Sequence, residues 1–196
     1  MNDAVLNPAA CAAFLVAAFM LAGVWQTAWL ALPTSQRFAI PLDGGRTFRG
    51  RRLFGANKTL RGFLMMVPAT GISFAVLAGV LGGSPSGLTG LWPRTSADYG
   101  LLGMWAGFGF MLGELPNSFV KRQLGIAPGH AANGVGTRPL FTILDRVDSI
   151  LGMLLVLAIA VPVPWLTWVY VLIVGPLLHF SFSLVLFQLG GKARAA

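Results

Sequence analysis

Glu114, Asp145 and Asp148 are three of only six carboxylates in the 196-residue sequence, and each stands beside a strongly hydrophobic stretch. An ionised carboxylate at membrane depth costs roughly 2.5–3.5 kcal/mol on insertion scales, so it persists where it is paired, bound to metal or turned toward a polar cavity. With no His or Cys among them, clustered carboxylates suit a hard cation. Mg²⁺ in particular takes one or two carboxylates and completes its shell with substrate phosphates. Lys58, Arg61, Lys121, Arg122 and Arg146 are placed to join them from the same connections. Acid for metal and base for phosphate, gathered at one face, is the make-up of a phosphoryl or nucleotidyl transfer site. Asp145 and Asp148 are three apart and share one helix face. Helix N-capping is the structural alternative for that pair, because acids are favoured at a helix start.

The elements that must position these groups are apolar. Hydrophobic residues make up 56% of the chain and charged residues 10%, with a mean hydropathy of +0.74. This balance predicts an all-α integral membrane protein with a single membrane domain over 1–196. Cys11 is the single cysteine, which excludes an intrachain disulfide. The net charge of +8 does not signal nucleic acid, because the basic residues sit between apolar runs rather than along a basic helix with interleaved aromatics. Apolar runs predict five spans at about 9–32, 63–81, 99–115, 149–161 and 165–189, the first a retained span rather than a signal peptide. Connections over 33–61 and 116–148 read as cytoplasmic loops. The first holds Arg37, Arg46, Arg49, Arg51, Arg52, Lys58 and Arg61; the second, with Arg146 beside it, holds Lys121, Arg122 and Arg138. Arg94 is the one basic residue left for the other side, so the N-terminus is expected outside and the C-terminus, with Lys192 and Arg194, inside.

Further expectations follow from local composition. Gly103 with Gly107 and Gly109 with Gly113 are small pairs four apart, which place the third span at the centre of the bundle and would equally serve a homodimer. Trp92 and Tyr99 fit an interfacial aromatic belt. Gly175-Pro176 suggests a kink in the last span, and His179 there reads as a packing histidine.

Gly113-Glu114, Ser118, Lys121-Arg122, Pro128-Gly129-His130 and Asp145-Arg146-Val147-Asp148 together resemble the signature of the CDP-diacylglycerol synthase superfamily of membrane cytidylyltransferases. Pro41-Leu42-Asp43-Gly44-Gly45-Arg46 and the run Leu53-Phe54-Gly55-Ala56-Asn57-Lys58-Thr59-Leu60-Arg61-Gly62 resemble its CDP-archaeol synthase branch. The resemblance spans about 35–155. It implies a CTP-dependent reaction in which a lipid phosphate displaces pyrophosphate and leaves a CDP-activated lipid. Carried over by position, Glu114, Asp145 and Asp148 would hold Mg²⁺, while Lys58, Lys121, Arg122 and Arg146 would bind the triphosphate and the lipid phosphate. Asn57, Thr59, Arg61 and Ser118 would line the same pocket, with His130 of the signature also on the substrate side. Position 114 is glutamate where the superfamily usually has aspartate, and Asp-Arg-Val-Asp is the diacylglycerol-type spelling.

Phosphatidic acid is therefore the alternative lipid substrate. The CDP-alcohol phosphotransferases begin their signature with Asp-Gly, as at Asp43-Gly44, but the further aspartates that motif requires are absent. The non-enzyme alternative is a small transporter or scaffold; no internal repeat of the kind common in transporters is visible.

Overall fold

The computed structural model describes residues 5–84, 87–128, 130 and 137–188, with backbone alone at 137–139, 179, 182, 183, 185 and 186. Gly129, the stretch 131–136, Lys192 and Arg194 lie outside the described residues, as do the side chains of Arg138 and His179.

Apolar runs become helices because a lipid-facing backbone must satisfy its own polar groups. The described residues form α1 (Pro8–Ala31), α2 (Leu60–Gly82), α3 (Ser96–Gln123), α4 (Thr137–Ala160) and α5 (Trp165–Gln188). Asn7 starts α1 by accepting the Ala9 and Ala10 amides at 3.0 and 3.1 Å. Pro33 stops it, holding Leu32 extended as the residue before a proline. Thr95 and Asp98 form a reciprocal capping box at the start of α3. Among the described residues, α1 and α2 are long and apolar enough to cross a membrane, and Trp165–Leu178 adds a shorter apolar helix.

The second connection differs from expectation. Rather than a loop over 116–148, α3 runs on through Pro116 to Gln123 and α4 begins at Thr137. Pro116 removes only one backbone hydrogen bond, and the polar residues beyond it find partners on α4, so the helix persists. Asp145 and Asp148 consequently lie well inside α4, which removes the N-capping alternative.

The helices pack in a ring, α1 on α2, α2 on α3, α3 on α4, α4 on α5 and α5 back on α1. Inside one end is a cluster of aromatic rings. Phe14 meets Phe74 edge-on at 5.1 Å and lies 5.1 Å from Tyr99, with Trp92 beside them. Trp92 and Tyr99 are 1% and 0% exposed, so they form the core rather than the expected interfacial belt. Their polar tips have protein acceptors and need no interfacial water: Trp92 Nε1 donates to the Pro162 carbonyl and Tyr99 Oη to the Trp92 carbonyl, both at 2.8 Å. Pro176 is accommodated inside an uninterrupted α5.

Candidate active site

At the other end of the ring, the segment between α1 and α2 folds around Asp43. This carboxylate is buried and accepts the amides of Gly45, Phe54 and Gly55 at 3.0, 3.2 and 3.0 Å as well as the Arg52 guanidinium. Burial acts to raise its pKa, but Arg52 and the backbone amides outweigh burial and hold it well below the usual carboxylate range. A two-stranded hairpin, β1 (Thr47–Phe48) and β2 (Arg51–Arg52), turns at Arg49 and Gly50. Both have positive φ, +52° and +77°, as a type I′ turn requires. The hairpin is pinned to the end of α3: Arg51 donates to the Gln123 carbonyl, and Gln123 Nε2 lies 3.5 Å from the Arg52 carbonyl. The arginines of this segment therefore build structure as well as charge.

Glycines set the distance between α3 and α4. A methyl group on Gly113 would come within 2.9 Å of Gly152 Cα, and one on Gly109 within 2.7 Å of the Gly152 carbonyl oxygen. Gly103 and Gly107 use the neighbouring face of α3 to pack on Thr70 and Phe74 of α2. Both small-residue pairs are thus engaged inside the chain, and α3 is seated between α2 and α4.

This close approach brings two polar faces together. Glu114, Asn117, Ser118 and Lys121 follow the helical spacing on α3, opposite Asp145, Asp148 and Ser149 on α4. Lys121 is ion-paired to Asp145. The Asn117 amide donates to Asp145 Oδ1 at 2.7 Å and to Asp148 Oδ2 at 2.9 Å. Ser149 Oγ lies 2.9 Å from Glu114 Oε1 and 3.2 Å from Asp148 Oδ1. Lys58, reaching in from the segment before α2, closes the series with an ion pair to Glu114. Burial alone would lower the Lys58 pKa, but Glu114 together with Asp148 and Asp145 raises it, so the ammonium form is held.

Arg122 lies beside Gly55, whose added methyl would stand 3.3 Å from Arg122 Cδ. Its Nε and Nη1 are buried with no hydrogen-bond partner among the described residues. Two such donors on a planar guanidinium suit an anion that accepts twice.

Other expected site residues are more dispersed. Ser118 is buried beside Asn117 on α3, and Thr59 is buried at the start of α2. Asn57 is exposed, and the Arg61 carbonyl receives Trp29 Nε1 at 3.2 Å. His130 is exposed, with Nδ1 3.1 Å from the Pro128 carbonyl oxygen. Arg146 turns toward α5 instead of α3: its guanidinium stands 5.4 Å over the Phe180 ring and donates to the Thr142 carbonyl. Asn117, Ser149 and Gly152 were not anticipated from the sequence, although Asn117 is three residues from Glu114 and Ser149 adjoins Asp148. Asp43 entered only as a motif residue and proves to organise its segment.

Among the described residues no three His, Cys, Asp or Glu side chains are gathered into a ready-made metal cage. The donor set nevertheless fits Mg²⁺, which relies on one or two carboxylates and leaves the rest of its shell to water and phosphate. Asp145 and Asp148, bridged by one Asn117 amide, are such a pair.

The family profile of CarS-like CDP-archaeol synthases matches residues 14–194. The chain belongs to that family. Its enzyme class is accordingly that of the nucleotidyltransferases. A CDP-archaeol synthase of Thermococcus gammatolerans is 32% identical over 163 residues, covering 78% of this chain and 80% of the relative. One from Methanosphaerula palustris is 32% identical over 178 residues, covering 84% and 96%. A solved structure of an intramembrane enzyme for archaeal membrane lipid biosynthesis superposes with a TM-score of 0.56 at 26% identity, covering 85% of this chain and 90% of that one. With the two apolar helices, these likenesses make the chain a membrane protein.

Proposed function

We propose that this CDP-archaeol synthase family member transfers the cytidylyl group of CTP to the phosphate of a membrane lipid of the archaeol-phosphate type. A lipid phosphate oxygen bonds to the α-phosphorus of CTP as the bond to the β-phosphate bridging oxygen breaks. Pyrophosphate leaves, and the product is a CDP-activated lipid. The observation that carries this reading is the continuous series Lys58, Glu114, Ser149, Asp148, Asn117, Asp145, Lys121 across α3 and α4, with Arg122 donors alongside that have no partner among the described residues.

Asp145 and Asp148, with Glu114, would hold Mg²⁺, whose role when bound is to neutralise charge building on the phosphates. Lys58 and Lys121, which here pair with Glu114 and Asp145, would supply ammonium groups to the phosphate oxygens of the substrates. Arg122 fixes one phosphate through Nε and Nη1. The lipid phosphate is already ionised, so the step needs positioning and charge stabilisation rather than a general base. Asn57, Thr59, Arg61, Ser118, His130 and Arg146 complete the substrate side.

The single membrane domain crosses the cell's cytoplasmic membrane five times, with the N-terminus outside. This arrangement puts thirteen of the 14 Lys and Arg residues at the cytoplasmic face with the site and leaves Arg94 opposite. The deciding measurement is pyrophosphate release by the purified protein in detergent with CTP and Mg²⁺, offered a diether lipid phosphate or phosphatidic acid. Turnover with the diether lipid supports the reading; turnover with phosphatidic acid alone reassigns the lipid; no release with either rejects it.

A further inference from the structure

Asn117 is the point at which the two α4 aspartates are tied together. An ionised carboxylate only accepts hydrogen bonds, so the amide group facing Asp145 and Asp148 must be the NH₂ end. That end has two protons and spends one on each acid, at 2.7 and 2.9 Å. The same geometry turns Oδ1 away, and Oδ1 is buried with no partner among the described residues. Leaving a buried carbonyl oxygen unpaired costs on the order of 1–3 kcal/mol, a cost that packing alone does not explain. Ser149 Oγ lies between the next pair, 2.9 Å from Glu114 Oε1 and 3.2 Å from Asp148 Oδ1, but its hydroxyl has one proton and can donate to only one of them at a time. Asn117 itself is neutral: without such donors, Asp145 and Asp148 would be two like charges free to splay apart.

We infer that Asn117 is a positioning residue which clamps Asp145 and Asp148 in one orientation relative to each other, so that the two acids would serve a single divalent cation as a pair. The inference rests on the cytidylyl-transfer reading and goes beyond it, because it assigns to a residue outside the metal-ligand and phosphate-binding sets the job of fixing metal affinity. Partners of this kind, which hold ligands without touching the metal, typically change metal affinity or activity 10- to 100-fold when removed.

The test uses Mn²⁺ alone as the probe, titrated into the full-length protein in detergent, with unbound metal counted by its EPR signal. Asn117→Ala removes both donors. Asn117→Leu removes them while keeping a similar shape on an apolar helix. Asn117→Gln retains the amide on a longer arm. Thermal unfolding of each variant establishes that it is folded. Expected is Mn²⁺ binding weakened at least tenfold in Asn117→Ala and Asn117→Leu, with Asn117→Gln recovering part of the loss. In turnover the same variants need correspondingly more Mg²⁺ for half-maximal rate and regain most of their kcat at saturating Mg²⁺. Wild-type Mn²⁺ affinity in a folded Asn117→Ala or Asn117→Leu protein overturns the proposal. So does absence of Mn²⁺ binding by the wild type, and pyrophosphate release by that same preparation then decides whether the transferase reading falls with it.

Discussion

Gly152 of α4 rests directly against Gly113 of α3, with no side chain between the two backbones: a methyl group on Gly152 would stand 2.5 Å from Gly113 Cα. The contacts of Asn117 with Asp145 and Asp148, and of Glu114 with Ser149, depend on that separation. Gly152→Ala should therefore push the helices apart and act as overpacking, destabilising by about 1–3 kcal/mol. Activity should fall by far more than stability, since hydrogen bonds of 2.7–2.9 Å cannot stretch with the helices. Thermal unfolding in detergent beside a pyrophosphate-release assay measures both; an active Gly152→Ala enzyme would contradict the packing account.

Asp43 sets an acid limit on the folded loop. Its folded-state pKa is depressed below the unfolded value of about 3.9. A depressed carboxylate contributes stability that is fully present above the unfolded pKa and is lost as pH falls through the folded one. The unfolding temperature should hold from pH 7 to about 5 and then drop as pH is lowered further. Asp43→Asn should be less stable at pH 7, by about 3 kcal/mol, because Arg52 loses its charged partner and an NH₂ group replaces one of the two oxygens that accept the Gly45, Phe54 and Gly55 amides. Its pH profile should also be flatter below pH 5, as read by thermal scans at stepped pH.

Arg122 offers a separation of activity from stability. Its Nε and Nη1 donate to nothing among the described residues, so Arg122→Gln should leave the unfolding temperature unchanged or slightly raised. The same variant should raise the KM for CTP tenfold or more. Lys58→Met, which strips Glu114 of its ion-pair partner, should lower stability and activity together. If Arg122→Gln unfolds early, the guanidinium has a structural partner and the phosphate role loses its support.

Asp148→Asn keeps the shape of the side chain but removes its charge from the centre of the network. Turnover should drop at least about a hundredfold while the protein still folds and inserts. Nucleotide stabilisation provides the companion readout. Wild-type protein with CTP at about 100 times its dissociation constant, and Mg²⁺ present, should gain roughly 2.7 kcal/mol, and Asp148→Asn should gain far less.

Charge at odd places in an apolar sequence singled out residues that the structure brings together: Glu114, Asp145, Asp148, Lys58 and Lys121 stand in one series of contacts. Helical spacing and small-residue pairs foretold which faces of α3 pack closely. Arg146 was less legible, since its neighbour Asp145 faces α3 while Arg146, one position on and about 100° round the helix, faces Phe180. The extent of α3 and α4 was hidden because Pro116 and the basic residues around it have the composition of a loop. Only the partners across the interface explain why those residues stay helical. Trp92 and Tyr99 misled for a similar reason: amphipathic aromatics suit a membrane interface, but a carbonyl inside the protein satisfies an N–H or O–H equally well.

The Phe14, Phe74, Trp92 and Tyr99 cluster has a consequence for the cell as well as for the fold. Charged groups set within the thickness of a bilayer would shorten the path that a proton or ion must travel to cross it. Each elementary charge gains about 2.3 kcal/mol per 100 mV of membrane potential, so a thin or wet remainder would leak. The Trp92 N–H and Tyr99 O–H groups are already committed to protein carbonyls, so neither is left to hand a proton onward. In a bundle placed across a membrane, these rings would form the apolar side that faces away from the ionic groups gathered at the other end.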